Sequence, residues 1–186
     1  VLDLPQADLV TSNSITVKVI KASTGQTVFY AISEDNAAVF EDLTWSTSNT
    51  FSNLSANTLY YVYAYAFRNA NYLKGEMTAG AEIPTEKEML TGAVSVDNEN
   101  PKIGDVLTAT YVRGNGTGTI TYTFKADGKI LQSTTHDKYT VTVLDLNKEI
   151  TVEVSFDEQK GFVESKATSG VVKKDAPMAP AVPVLV

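Results

Sequence analysis

The chain has 186 residues and a formal charge of −7, which argues against a nucleic-acid partner and against docking to an anionic membrane surface, both of which call for a basic face. It contains no cysteine, which excludes a disulfide-stapled fold and any cysteine-ligated zinc site. Its length allows one large domain or two small ones.

Short runs rich in Val, Thr, Tyr and Ile recur along the chain, and no stretch sustains a helical period of apolar residues. The fold class expected is all-β. In the first half strands are expected near Ser14–Ile20, Thr27–Ser33, Thr50–Asn53, Leu59–Phe67 and Thr78–Pro84. Inward positions would include Ile15, Val17, Val19, Val28, Tyr30, Ile32, Phe51 and Leu54. Trp45, the single tryptophan, is expected to cap one end of the core. Leu59–Phe67 is the longest apolar run and is too short to span a bilayer.

Leu59–Phe67 alternates strictly. With Tyr60, Val62, Ala64 and Ala66 inward, Tyr61, Tyr63, Tyr65 and Phe67 point outward. Leu54, Thr58, Tyr60 and Val62 resemble the turn and strand of a fibronectin type III module written Leu-x-Pro-x-Thr-x-Tyr-x-Val, with Ala56 where proline is usual. Val28-Phe-Tyr-Ala-Ile32, Trp45 and Thr50-Phe-Ser-Asn-Leu54 extend the resemblance towards the bacterial form of that module.

Pro84-Thr-Glu-Lys-Glu88 marks a break, and a second strand series follows. It comprises Gly92–Val96, Asp105–Val112, Thr119–Ala126, Lys138–Val143, Glu149–Phe156 and Val163–Val172. Ile150, Val152 and Val154 alternate with Thr151, Glu153 and Ser155, as a half-buried strand requires. Asp127-Gly128 signals a tight hairpin, and Asn147 sits in a turn that tolerates a positive φ. Ile103-Gly-Asp-Val-Leu-Thr-Ala109, Tyr122-Thr-Phe-Lys-Ala-Asp-Gly128 and Leu146-Asn-Lys-Glu-Ile-Thr-Val-Glu-Val154 resemble bacterial immunoglobulin-like modules that occur in tandem. Phe124 stands where those modules commonly have tryptophan, and Asn147 where they have glycine.

The organisation expected is therefore two consecutive antiparallel β-sandwich domains: 1–86 fibronectin type III-like and 87–175 immunoglobulin-like. Residues 176–186 read as a Pro/Ala-rich linker leading into a further module. The chain opens on Val1 without a signal peptide, which reads as a piece of a longer polypeptide.

Reactive constellations are sparse. His136, the only histidine, lies in a polar loop and reads as a solvated side chain. Gly114-Asn-Gly-Thr-Gly118 has the look of a phosphate loop, yet no helix follows it, so it reads as a flexible turn between strands. Asp97-Asn-Glu-Asn100 is acidic but lacks the spacing of an EF-hand loop. No catalytic residue, cofactor or metal site is expected.

The one candidate binding surface is the aromatic ladder of Phe29, Tyr61, Tyr63 and Tyr65, whose rings would repeat at about 7 Å and could stack on sugar rings. Two function classes follow. One is a non-catalytic structural or interaction segment of a larger bacterial surface or secreted protein, with an extracellular location implied by the resemblance. The other is a carbohydrate-binding or adhesive module. Expected partners are neighbouring domains of the same chain and, for the ladder, a polysaccharide or surface protein. Nucleic acid and membrane insertion are not expected, and the chain reads as a monomer.

Overall fold

A period of two in the apolar residues can be buried only by pairing strands and stacking the sheets, and both halves of the chain do this. A computed structural model describes residues 1–174; the expected linker at 176–186 lies outside the described residues. The chain divides into two compact units, Val1–Glu88 and a second beginning at Met89.

The first unit contains β1 (Ala7–Val10), β2 (Ser14–Val17), β3 (Val28–Ser33), β4 (Thr50–Ser52), β5 (Leu59–Ala66) and β6 (Ala81–Pro84). Two three-stranded antiparallel sheets, β1-β2-β4 and β3-β5-β6, enclose Ile15, Val17, Val28, Tyr30, Tyr60, Val62, Ala64 and Ile83. Ile32, Phe51 and Leu54 pack at the margin of this core. Val19 does not join it. β2 ends at Val17, whose carbonyl accepts the Asn49 side-chain amide. Val19 is then 69 % exposed, and Ile20 packs on the core with its N–H on the Tyr30 hydroxyl. At the turn before β5 the Ser55 N–H donates to the Tyr60 hydroxyl at 3.0 Å, pinning the turn to the core ring.

The second unit contains β7 (Ala93–Val96), β8 (Val106–Val112), β9 (Ile120–Ala126), β10 (Lys129–Thr134), β11 (Lys138–Thr140), β12 (Ile150–Phe156) and β13 (Val163–Glu164). Its sheets are β11-β8-β7 and β10-β9-β12-β13. Phe124 and Leu107 are fully buried between them with Val141, Ile150, Val152, Val154 and Val171. Asp127 and Gly128 have φ of 46° and 78°, the left-handed pair that a two-residue hairpin needs, and Ala126 pairs with Lys129 across it. Asn147 has φ 65°.

The last strand departs from the expected Val163–Val172. Only Val163 and Glu164 pair with β12 in the regular way. Beyond them Ser165 and Thr168 donate their backbone N–H to the carbonyls of Val152 and Ile150. Their hydroxyls, not their carbonyls, accept the Val152 and Ile150 N–H at 3.0 Å each. The freed backbone swings away, and Val171 and Val172 form parallel bridges with Leu146 and Lys102. The first unit uses the same device. Thr78 and Thr85 donate to the carbonyls of Ala64 and Thr58 and accept their N–H groups through the side-chain oxygen.

Candidate functional site

The antiparallel register of β3 with β5 places Phe29 opposite Tyr65, Ala31 opposite Tyr63 and Ser33 opposite Tyr61. The four candidate residues thus share the outer face of one sheet, as alternation predicts. The face is not open. Tyr63 is 2 % exposed and Tyr65 is 5 % exposed, while Phe29 and Tyr61 are half-buried. The expected exposed ladder is corrected on this point.

Two connections cover it. The segment between β3 and β4 carries Phe40 in a one-turn helix (Phe40–Asp42), and Trp45 after it. The Trp45 indole N–H donates to the Phe40 carbonyl at 3.1 Å, and the two rings stack with centroids 4.9 Å apart. Both stand edge-on to Tyr65, at 4.9 and 4.7 Å. Phe29 lies 5.6 Å from Tyr65 and 5.3 Å from Phe67, completing a second aromatic cluster outside the sandwich core. Trp45 therefore sits on the outer face of the β3-β5-β6 sheet rather than at one end of the core. The connection from β5 to β6 closes over Tyr63. Gly80 passes so near that a Cβ there would lie 3.0 Å from the phenol ring. The Tyr63 hydroxyl donates to the Asp35 carbonyl at 2.9 Å.

Burial pushes the Tyr63 and Tyr65 phenols above their ordinary pKa, with the Asp35 and Tyr61 charges adding to the effect at Tyr63. A sugar stacks on a free ring face. The faces of Tyr63 and Tyr65 are already packed by protein, so their contribution is to hold the covering segments on the sheet.

In the second unit each chemically suggestive segment is hydrogen-bonded within its own module. The amides of Gly116, Thr117 and Thr119 donate to the Tyr111 hydroxyl (3.1 Å), Gln159 Oε1 (2.8 Å) and Asp157 Oδ1 (2.7 Å). A side-chain carboxylate thus holds one of the amides a phosphate would need. The loop is tied down rather than flexible, and a Cβ at Gly116 would collide with the Phe156 ring. Asp97 accepts the Thr108 N–H, and Asp105 accepts from Asn98 Nδ2 and the Lys102 N–H. Among the described residues there is no group of three or more His, Asp or Glu placed to hold a metal ion. His136 is exposed, with Nδ1 3.1 Å from the Thr134 hydroxyl.

Sequence reasoning passed over Asp145, the one fully buried carboxylate among the described residues. It ends a one-turn helix, Val143–Asp145, that Thr142 caps. Oδ2 accepts the Tyr139 hydroxyl at 2.7 Å and both the N–H and hydroxyl of Thr142 at 2.8 Å. Oδ1 is buried and has no partner. Desolvation alone would raise the Asp145 pKa. The Thr142 and Tyr139 hydrogen bonds and the Lys148 charge outweigh it and hold the carboxyl below its ordinary value. Burial and the same carboxylate push Tyr139 up to about 12. The capping pattern Thr142-x-x-Asp145 was the available sequence signal.

No protein-family model matches the sequence, and no curated protein does. Solved structures do resemble it. Murine CEACAM1b is 12 % identical, with 91 % of this chain and 99 % of that chain covered, at a TM-score of 0.54. A two-domain fibronectin type III segment of chicken tenascin is 14 % identical over 91 % and 97 % of the two chains, at 0.47. The fibronectin(III)-like modules of Clostridium thermocellum CbhA are 16 % identical over 93 % and 94 %, at 0.40. Of these three, the likeness to murine CEACAM1b is the one that bears on the fold. At such identities the likeness is one of fold.

Proposed function

We propose that the chain is a non-catalytic structural and interaction segment, two sandwich modules that space or present other parts of a larger extracellular protein of the bacterial surface or secreted kind. The observation that carries this reading is how the buried polar groups are used. Thr85, Ser165, Thr168 and Asp145 are the buried polar residues among the described ones. Each is bonded to the backbone of its own module: Ser165 and Thr168 to N–H groups of β12, Thr85 to the N–H of Thr58 just before β5, and Asp145 to the Thr142 N–H. The hydroxyls specify where the chain pairs, and the Asp145 carboxylate holds the turn it ends. The implied partners are neighbouring domains of the same chain or a surface protein. The sugar-binding alternative loses two of its four rings to burial.

A modular spacer requires each unit to fold by itself. Residues 1–88 and 89–186, produced separately, are expected to unfold cooperatively at the midpoints they show in the joined chain, measured by calorimetry. Two halves that are both unfolded in isolation would refute the reading.

A further inference from the structure

Asn115-Gly116 is the one Asn-Gly pair in the chain, and each of its residues has a separate structural duty. Gly116 lies against Phe156, where any Cβ would overlap the ring. Asn115 ties the loop between β8 and β9 to the first residues of the second unit. Its Oδ1 accepts the Thr91 N–H (2.9 Å) and the Thr91 hydroxyl (3.1 Å), and its Nδ2 donates to the Met89 carbonyl at 3.0 Å. Tyr111 closes the arrangement. Its hydroxyl donates to the Thr91 carbonyl at 2.7 Å and accepts the Gly116 N–H at 3.1 Å. The Tyr111 ring lies 5.1 Å from that of Phe156, and a Cβ at Gly92 or Gly114 would collide with the Tyr111 side chain.

An asparagine followed by glycine is chemically labile, because no side chain shields the next amide nitrogen and the backbone there turns freely. The Gly116 nitrogen attacks Asn115 Cγ. The N–Cγ bond forms, the Cγ–Nδ2 bond breaks, and the side-chain amide leaves as ammonia, carrying off the Gly116 proton. Water then opens the resulting succinimide at either carbonyl, giving aspartate or isoaspartate. One water is consumed, and nothing is oxidised or reduced. In the native state both reacting groups are engaged, the Gly116 N–H on Tyr111 and Nδ2 on Met89, so both bonds must open before attack. The product cannot close them again. A carboxylate has no N–H to give the Met89 carbonyl and sets an oxygen against it instead.

We propose that Asn115 is a latent self-modification site, held off by its bonds to Met89 and Thr91 and by Tyr111, whose conversion to aspartate or isoaspartate permanently unties Met89 from the β8–β9 loop. The full chain and its Tyr111→Phe variant are incubated at mildly alkaline pH beside the tryptic peptide Gly114–Lys125. Conversion at Asn115 is followed by mass spectrometry. The folded chain is expected to convert about thirtyfold more slowly than the peptide, the worth of two net hydrogen bonds. Tyr111→Phe, which removes one of them, should convert about fivefold faster than wild type. Equal rates in chain and peptide, or a Tyr111→Phe rate at or below wild type, would overturn the proposal. The untying is read by hydrogen exchange on Asn115→Asp. The Leu90 N–H shares a peptide plane with the Met89 carbonyl and donates to the Lys160 carbonyl at 2.8 Å. It should exchange about fivefold faster in the variant, with Val154 unchanged. A Leu90 amide as protected as in wild type, or an acceleration shared by Val154, would overturn it. The reading of the chain as a spacer does not depend on either result.

Discussion

Replacing Tyr139 by phenylalanine isolates one hydrogen bond in a closed network. The ring stays stacked on Phe124 at 5.5 Å, and only the hydroxyl that donates to Asp145 at 2.7 Å is lost. A hydrogen bond to a buried charged acceptor contributes about 1.5–3 kcal/mol. Asp145 would keep two donors on Oδ2, both from Thr142, and its Oδ1 is already unpartnered, so no other bond can compensate. The expected loss is about 2 kcal/mol, which in a domain of this size lowers the midpoint by roughly 8–16 °C. Trp45 is the only tryptophan and lies in the first unit, so its fluorescence transition should not move while the second calorimetric transition does. The difference between wild type and variant also has a pH signature. Asp145 titrates below its ordinary value in the folded state, so its stabilisation is complete above about pH 4 and is lost as pH falls through the folded pKa. The gap between the two proteins should therefore close on acidification. Tyr139, raised to about 12, keeps its contribution below about pH 10 and loses it as pH rises through 12. A midpoint shift shared by the Trp45 signal, or a gap that is constant from neutral pH into acid, would refute the assignment.

Tyr65→Ala removes the ring on which Phe40 and Trp45 stand, and a buried aromatic lost in this way costs about 3–5 kcal/mol. Denaturant unfolding should show that loss in the first unit, with the folded-state Trp45 emission moved to the red; an unchanged midpoint would mean that the outer cluster does not support the fold. Thr168→Val leaves the buried Ile150 N–H without its acceptor and should cost about 1–3 kcal/mol. Hydrogen exchange at Ile150 should accelerate by about the factor that this energy implies while Val154 tracks only global opening; full protection at Ile150 would show that another group replaces the hydroxyl.

The strands were legible because alternation is a local property. Ile150, Val152 and Val154 declare a buried face, and Asp127-Gly128 declares the reversal between β9 and β10, without reference to anything distant. Exposure on an outer face is not local. Tyr63 and Tyr65 alternate away from the core as expected, yet whether that side meets water depends on where residues 34–49 and 67–80 lie. The only hint was that Phe40 and Trp45 are large apolar side chains in a connection with no strand face of its own to fill. Val19 failed for a related reason: alternation continues on paper past Val17, where β2 ends. β1 was missed because a bulge between Ala7 and Leu9 breaks its alternation. The sequence shows Asp145 as an ordinary surface acid, and its burial follows from a cap and a hydroxyl brought from β11.

The hydroxyl acceptors on the closing strands act as an address. A backbone carbonyl is the same at every residue, so a strand held only by carbonyls could be traded for a similar one. Thr78 and Thr85 lie seven positions apart and answer Ala64 and Thr58. Ser165 and Thr168 lie three positions apart and answer Val152 and Ile150. A closing strand borrowed from the other unit would bring its hydroxyls to the wrong rungs and strand at least one buried N–H, at about 1–3 kcal/mol for each. Neighbouring sandwiches in one polypeptide are prone to exchanging strands while they fold. The unequal spacing would penalise such an exchange.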